Sequence, residues 1–108
     1  MELLVVGLNH NTAPIQIHEC SAFPEDKMED ALSKVHALPS LKENMILSTC
    51  NRVEVYAATR ETEKAIFDLK NFLSQYHGLP LKEFEKSLYS HMGEEAVRNI
   101  FRVDSSID

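Results

Sequence analysis

Residues 3 to 8 read Leu3-Leu4-Val5-Val6-Gly7-Leu8, six positions without a polar side chain. A run this short, β-branched at its centre and lacking any alternation of apolar with polar, predicts a central strand covered on both faces. The chain that must cover it has 108 residues. That length buries one core without disulfides and is too short for two independent ones. With 26% charged and 44% apolar residues, the balance is that of an ordinary folded domain.

Beyond the run, Asn9-His10-Asn11-Thr12-Ala13-Pro14 is polar and closes on a proline, so it reads as a loop. Phe23-Pro24-Glu25-Asp26 has the proline and acids of a helix start. Met28, Ala31, Leu32 and Val35 then follow at helical spacing, up to Pro39 and Ser40. Met45-Ile46-Leu47 begins a second strand, which Ser48-Thr49-Cys50-Asn51-Arg52 interrupts, and Val53-Glu54-Val55-Tyr56-Ala57 alternates as a half-exposed strand does. Two strands around a five-residue polar break predict a hairpin with Cys50 at its tip. Ala65, Ile66, Leu69, Phe72, Leu73 and Tyr76 give a second helix, and Gly78 stands where its C-terminal cap belongs. Leu88-Tyr89 falls in a short fourth strand, and Gly93 leads into a helix with Ile100, Phe101 and Val103 inward. The order β-α-β-β-α-β with an extra C-terminal helix predicts an α+β, ferredoxin-like split βαβ sandwich. No stop signal follows the last helix and no repeats occur, so the chain reads as the front part of something longer.

The formal charge is -6 and the eleven lysines and arginines are scattered. Nothing forms the basic footprint that grips phosphate backbones, so strong autonomous nucleic-acid binding is not expected. No apolar run approaches the ~20 residues of a membrane span, and the first residues lack a basic leader. A cytoplasmic chain without a membrane partner is expected, with Cys20 and Cys50 as free thiols. The histidines at 10, 18, 36, 77 and 91 are widely spread and no CxxC or HxxxH spacing occurs, so no metal is expected.

On the residues alone, Cys50 is either a small buried hydrophobe at a strand end or a nucleophile, which requires exposure and a lowered pKa. Arg52 is either a solvated turn cation or a planar fork suited to clamping a carboxylate. Thr49 and Asn51 either bond their own turn or donate to a substrate and a developing oxyanion. Asn9, His10 and Thr12, on the loop after the first strand, either brace neighbours or line the pocket beside Cys50.

Three words of this sequence together resemble the N-terminal catalytic domain of glutamyl-tRNA reductases: Gly7-Leu8-Asn9-His10-Asn11-Thr12-Ala13-Pro14, Leu47-Ser48-Thr49-Cys50-Asn51-Arg52-Val53-Glu54-Val55-Tyr56, and Ala96-Val97-Arg98-Asn99-Ile100-Phe101-Arg102-Val103. The resemblance covers nearly the whole chain, in order, and implies that residues 1-108 form the catalytic, substrate-binding domain. It implies NADPH-dependent reduction of glutamyl-tRNA to glutamate-1-semialdehyde through a thioester on Cys50, the first step of five-carbon tetrapyrrole (porphyrin, heme) biosynthesis. Arg52 would then hold the glutamate side-chain carboxylate, with Thr49, Asn51, Asn9, His10, Thr12 and Ser105 as further substrate contacts. The NADPH-binding and dimerisation domains of that family lie outside this chain, so the isolated domain is expected to be inactive in reduction. The partners implied are glutamyl-tRNA, held mostly by those other domains, a second copy in a full-length homodimer, and the next enzyme of the pathway.

Four positions depart from the family pattern. Asn99 stands where a histidine taken as general acid or carbonyl-orienting group is usual, and its amide has no titratable proton. His18 replaces an arginine beside Glu19. Asp104 and Ser106 flank Ser105 where the family reads alanine and glycine. Asn99 and His18 keep open the alternative of a noncatalytic, partner-binding or regulatory domain derived from that family. A small ferredoxin-like ligand-binding regulator is a third reading.

Overall fold

The computed structural model describes residues 1–9, 12, 27–49 and 52–105, with the course of the backbone alone for 102–105. Strand β1 spans Glu2–Asn9, helix α1 Met28–His36, β2 Glu43–Ser48, β3 Arg52–Thr59 and α2 Thr62–His77. Helix α3, Leu81–Phe84, runs into a 3-10 turn at Glu85–Ser87, and β4, Tyr89–Met92, leads into α4, Glu94–Ser105. The four strands form one sheet in the order β2-β3-β1-β4, and every neighbouring pair is antiparallel. Strand β3 thus lies between β1 and β2, which α1 connects, and β1 lies between β3 and β4. The α+β class is as the sequence indicates. The helix at residues 81–84 was not foreseen, because one turn behind Pro80 is too short to show a period.

Helices cover both faces of the sheet. On one face Leu4, Val6 and Leu8 of β1 and Val53, Val55 and Ala57 of β3 pack with Ala31 and Val35 of α1 and with Ala65, Leu69, Phe72 and Leu73 of α2. On the other, Val5 and Tyr56 are buried with Ala96 of α4, and Leu3 and Ile100 pack against them. The unalternating run at residues 3 to 8 is therefore a strand buried on both sides, as expected. Helix α2 stops at Gly78, whose φ of 67° is left-handed and whose N–H bonds the carbonyl of Gln75. Among the described residues no helix is long and apolar enough to cross a membrane.

Two expectations are corrected. Strand β3 is not half-exposed: Glu54 is fully buried, because α4 lies over the face to which the polar residues of the alternation point. Phe101 does not face inward and is 65% exposed. Ala96, Asn99 and Ile100, spaced by three and four, form the face of α4 that meets the sheet, and the next stripe, Val97 and Phe101, is turned away. The inward residue between Ala96 and Ile100 is a polar one. The expected inward side chain of Val103, like the helix start at residues 23–26, lies outside the described residues.

Candidate functional site

The predicted hairpin is present, and its turn is braced from within. The backbone N–H of Thr49 donates to the carbonyl of Arg52 at 2.8 Å, and the Arg52 N–H donates back to Thr49 Oγ1 at 3.2 Å. The hydroxyl of Thr49 therefore bonds its own turn. Cys50 and Asn51, between these two residues in sequence, lie outside the described residues. A second braced turn follows β1. Asn9 N–H donates to Thr12 Oγ1 at 2.9 Å, and Thr12 N–H donates to Asn9 Oδ1 at 3.1 Å. In the β1–β3 ladder Asn9 pairs with Arg52, so both turns stand at the same end of the sheet. His10, and also His18, Glu19 and Cys20, fall outside the described residues. Ser105 is the last residue of α4, and its side chain is likewise outside them.

Strand periodicity places Arg52, Glu54 and Tyr56 on the face that α4 covers. Glu54 has no exposed surface, and a carboxylate so placed requires donors. Tyr56 Oη donates to Glu54 Oε1 at 2.8 Å. On Oε2 converge the Asn99 amide at 2.7 Å and the hydroxyl of Tyr89. The second hydrogen of the Asn99 amide goes to Tyr56 Oη at 2.6 Å. Arg52, whose side chain is 14% exposed, brings Nη1 within 3.9 Å of Glu54 Oε2, an ion-pair distance rather than that of a hydrogen bond. Burial first, then the bond to Glu54 and its charge, push the phenols of Tyr56 and Tyr89 far above the usual tyrosine range, against the opposing charge of Arg52. Both hydroxyls therefore stay protonated donors at any neutral or mildly alkaline pH.

Gly7 makes this arrangement possible. It pairs with Glu54 on one side and Tyr89 on the other, and a Cβ there would meet the Val53 carbonyl oxygen at 2.5 Å and Glu54 Cγ at 2.8 Å. The glycine leaves the opening across which the tyrosine hydroxyl reaches the carboxylate.

Of the residues singled out from sequence, Thr49, Arg52, Asn9 and Thr12 thus meet at one sheet end, and Asn99 joins Arg52 through Glu54. Sequence reasoning missed Glu54, Tyr56 and Tyr89. A signal for them existed in the glycine inside an otherwise apolar strand, which marks a close approach by something large.

Comparison with known proteins agrees with this architecture. Residues 6–108 match the family model described as glutamyl-tRNAGlu reductase, N-terminal domain. A glutamyl-tRNA reductase of Citrifermentans bemidjiense is 50% identical over all 108 residues, and one of Geobacter sulfurreducens is 47% identical. The chain spans 25% of the length of each. Among solved structures, glutamyl-tRNA reductase from Methanopyrus kandleri matches 94% of this chain and 21% of its own, at a TM-score of 0.63 and 27% identity. With a family model matched over nearly its whole length and half its residues shared with a full-length relative, the chain belongs to the glutamyl-tRNA reductase N-terminal domain family.

Proposed function

We propose that the protein carrying this chain reduces glutamyl-tRNA to glutamate-1-semialdehyde with NADPH, opening tetrapyrrole synthesis in the cytoplasm, and that this chain performs the acyl transfer. The observation that carries the reading is the placement of Arg52. It sits two residues after Cys50, at the foot of a braced hairpin turn, with its guanidinium paired to a buried carboxylate. The thiolate of Cys50 attacks the carbonyl carbon joining glutamate to the tRNA. A C–S bond forms, the ester C–O bond breaks, and the terminal ribose hydroxyl of the tRNA leaves with a proton. Arg52 holds the glutamate side-chain carboxylate, and Thr49, Asn51, Ser105, Asn9, His10 and Thr12 line the acyl pocket.

The described residues do not fit the nicotinamide cofactor. The chain's three glycines lie under Glu54, at the left-handed end of α2, and in the turn before α4. That last turn is followed by Glu94 and Glu95, whose charge repels a pyrophosphate. The hydride step is therefore assigned to the three quarters of the relatives' length that this chain does not span, as are the grip on tRNA and the contacts of a homodimer. A chain of net charge -6 supplies little of the counter-charge that a tRNA backbone demands.

The test is to incubate the full-length enzyme with charged tRNA and no NADPH. A glutamyl thioester accumulates on the wild type and none on Cys50→Ser. A normal thioester yield from Cys50→Ser sinks the role of Cys50, and no thioester on the wild type leaves the noncatalytic, partner-binding reading standing.

A further inference from the structure

We infer that the half of the sheet formed by β2 and β3, on the face where α4 lies, is a docking surface for an amphipathic helix supplied by the part of the protein that this chain does not span. Neighbouring strands lie about 4.8 Å apart and a helix with its side chains is about 10 Å wide, so one helix covers two strands. A four-stranded sheet then needs two helices on each face. One face has them in α1 and α2. On the other, α4 is the only helix among the described residues, and it lies along β1 and β4. In the β2–β3 ladder Met45 pairs with Tyr56, Leu47 with Glu54 and Glu43 with Ala58. Paired residues share a face, so Met45 and Leu47 project on the α4 side of the sheet, and Met45 is 49% exposed there.

The uncovered half has the shape of a helix seat. Leu3, Met45, Tyr56, Ala58 and Ile100 line a shallow cavity of about 190 Å³. Leu3 and Ile100 also pack against Val5, Tyr56 and Ala96, so the cavity opens directly from the core beneath α4. The wall beside it is apolar as well. Successive helical residues turn by about 100°, which carries Val97 and Phe101 past Ile100 onto the flank of α4 above the cavity, on the side away from Asn99. Val97 is 40% and Phe101 65% exposed. This floor and wall fit a second helix lying beside α4, about 8–10 Å from its axis. One of its stripes rests on Met45 and Ala58 and the next on Val97 and Phe101, so its apolar face is wider than about 100°. The source is the same polypeptide. The chain spans 25% of the length of its relatives, and a helix tethered in the same molecule is present at an effective concentration of about the millimolar range, which a separate partner does not reach. Continuity with the core is also the mark of a permanent contact, since such interfaces resemble a core cut in half.

Four residues of this chain form two matched pairs for the test. Phe101 and Phe67 are 65% and 61% exposed, and Met45 and Met92 are 49% and 47% exposed. The first of each pair lies on the docking surface. Phe67 is on α2, and Met92 is on β4 opposite Leu4, which belongs to the layer of α1 and α2. Hydroxyl-radical footprinting of the purified full-length protein, read by mass spectrometry, compares oxidation within each pair, so that residue chemistry cancels. Phe101 is expected to oxidise several-fold more slowly than Phe67, and Met45 several-fold more slowly than Met92. Phe101→Asp sets a charge against the docked helix and should return Met45 to the rate of Met92; that side chain is exposed in this domain, so the domain still folds. Equal rates within both pairs overturn the inference. Protection of Met45 that survives Phe101→Asp means that no single helix covers both residues and overturns it too. Protection that disappears on dilution assigns the face to a second copy, which overturns the intramolecular source.

Discussion

Replacing Gly7 by alanine adds one methyl at the point where the two central strands and the buried carboxylate converge. The new Cβ would lie 2.5 Å from the Val53 carbonyl oxygen and 2.8 Å from Glu54 Cγ. Carbon and carbonyl oxygen approach each other no closer than about 3.3 Å, so the strands must part locally by roughly 0.8 Å, and Glu54 must turn away as well. Parting the strands is an overpacking strain of about 1–3 kcal/mol. Turning Glu54 forfeits at least one charge-assisted hydrogen bond, about 1.5–3 kcal/mol. The two add to roughly 4 kcal/mol, since the Val53 oxygen and Glu54 Cγ are separate contacts and relieving one leaves the other. For a domain of this size that corresponds to a fall in Tm of more than about 15 °C. Urea denaturation of wild type and Gly7→Ala, followed by far-UV circular dichroism, measures it. A difference below about 1 kcal/mol would mean that the site yields without strain, and the account of Gly7 would be wrong.

Two further outcomes concern the remainder of the domain. Burial lowers the His77 imidazole to about 4, below the ~6.5 of an unfolded histidine, so between these values the unfolded chain binds the extra proton. Stability is then full above pH ~6.5 and is lost as pH falls towards about 4; His77→Gln should flatten the decline seen by urea denaturation at pH 7 and pH 5, and an unaltered decline contradicts the assignment. On α4, Ile100→Ala should destabilise by about 1–2 kcal/mol and Phe101→Ala by under about 0.5 kcal/mol, measured by thermal melts, and the reverse ranking would restore the inward Phe101.

What could be read from the sequence was whatever depends on near neighbours. The unalternating run of β1, the polar break between β2 and β3, and the period of α2 ending at Gly78 all follow from spacings within one element. Glu54 misled because alternation tells which residues share a face and not what covers that face. Its donors Tyr89 and Asn99 are 35 and 45 positions away, joined to it only by tertiary structure. Asn99 drew notice as a departure from a family pattern. Its partners supply the physical reason for a double donor there. Phe101 was misplaced because adjacent apolar residues on a helix cannot both lie at the centre of one face, and the inward position went to an asparagine that a hydropathy reading places outside.

Strand β1 also raises a problem of alignment, which Gly7 answers. A strand that alternates polar with apolar announces its own register, because a slip of one residue buries the wrong side. Leu3 to Leu8 carry no such message, being apolar towards both layers, and many alignments against β3 would satisfy the hydrophobic effect about equally. Sliding β1 by one position sets Val6 or Leu8 opposite Glu54, and sliding it by two sets Val5 or Asn9 there; each fills the opening that the carboxylate and the Tyr89 hydroxyl occupy. The single glycine of the strand thus works as a key cut for one lock, selecting during folding the one strand alignment in which a buried charge finds its donors.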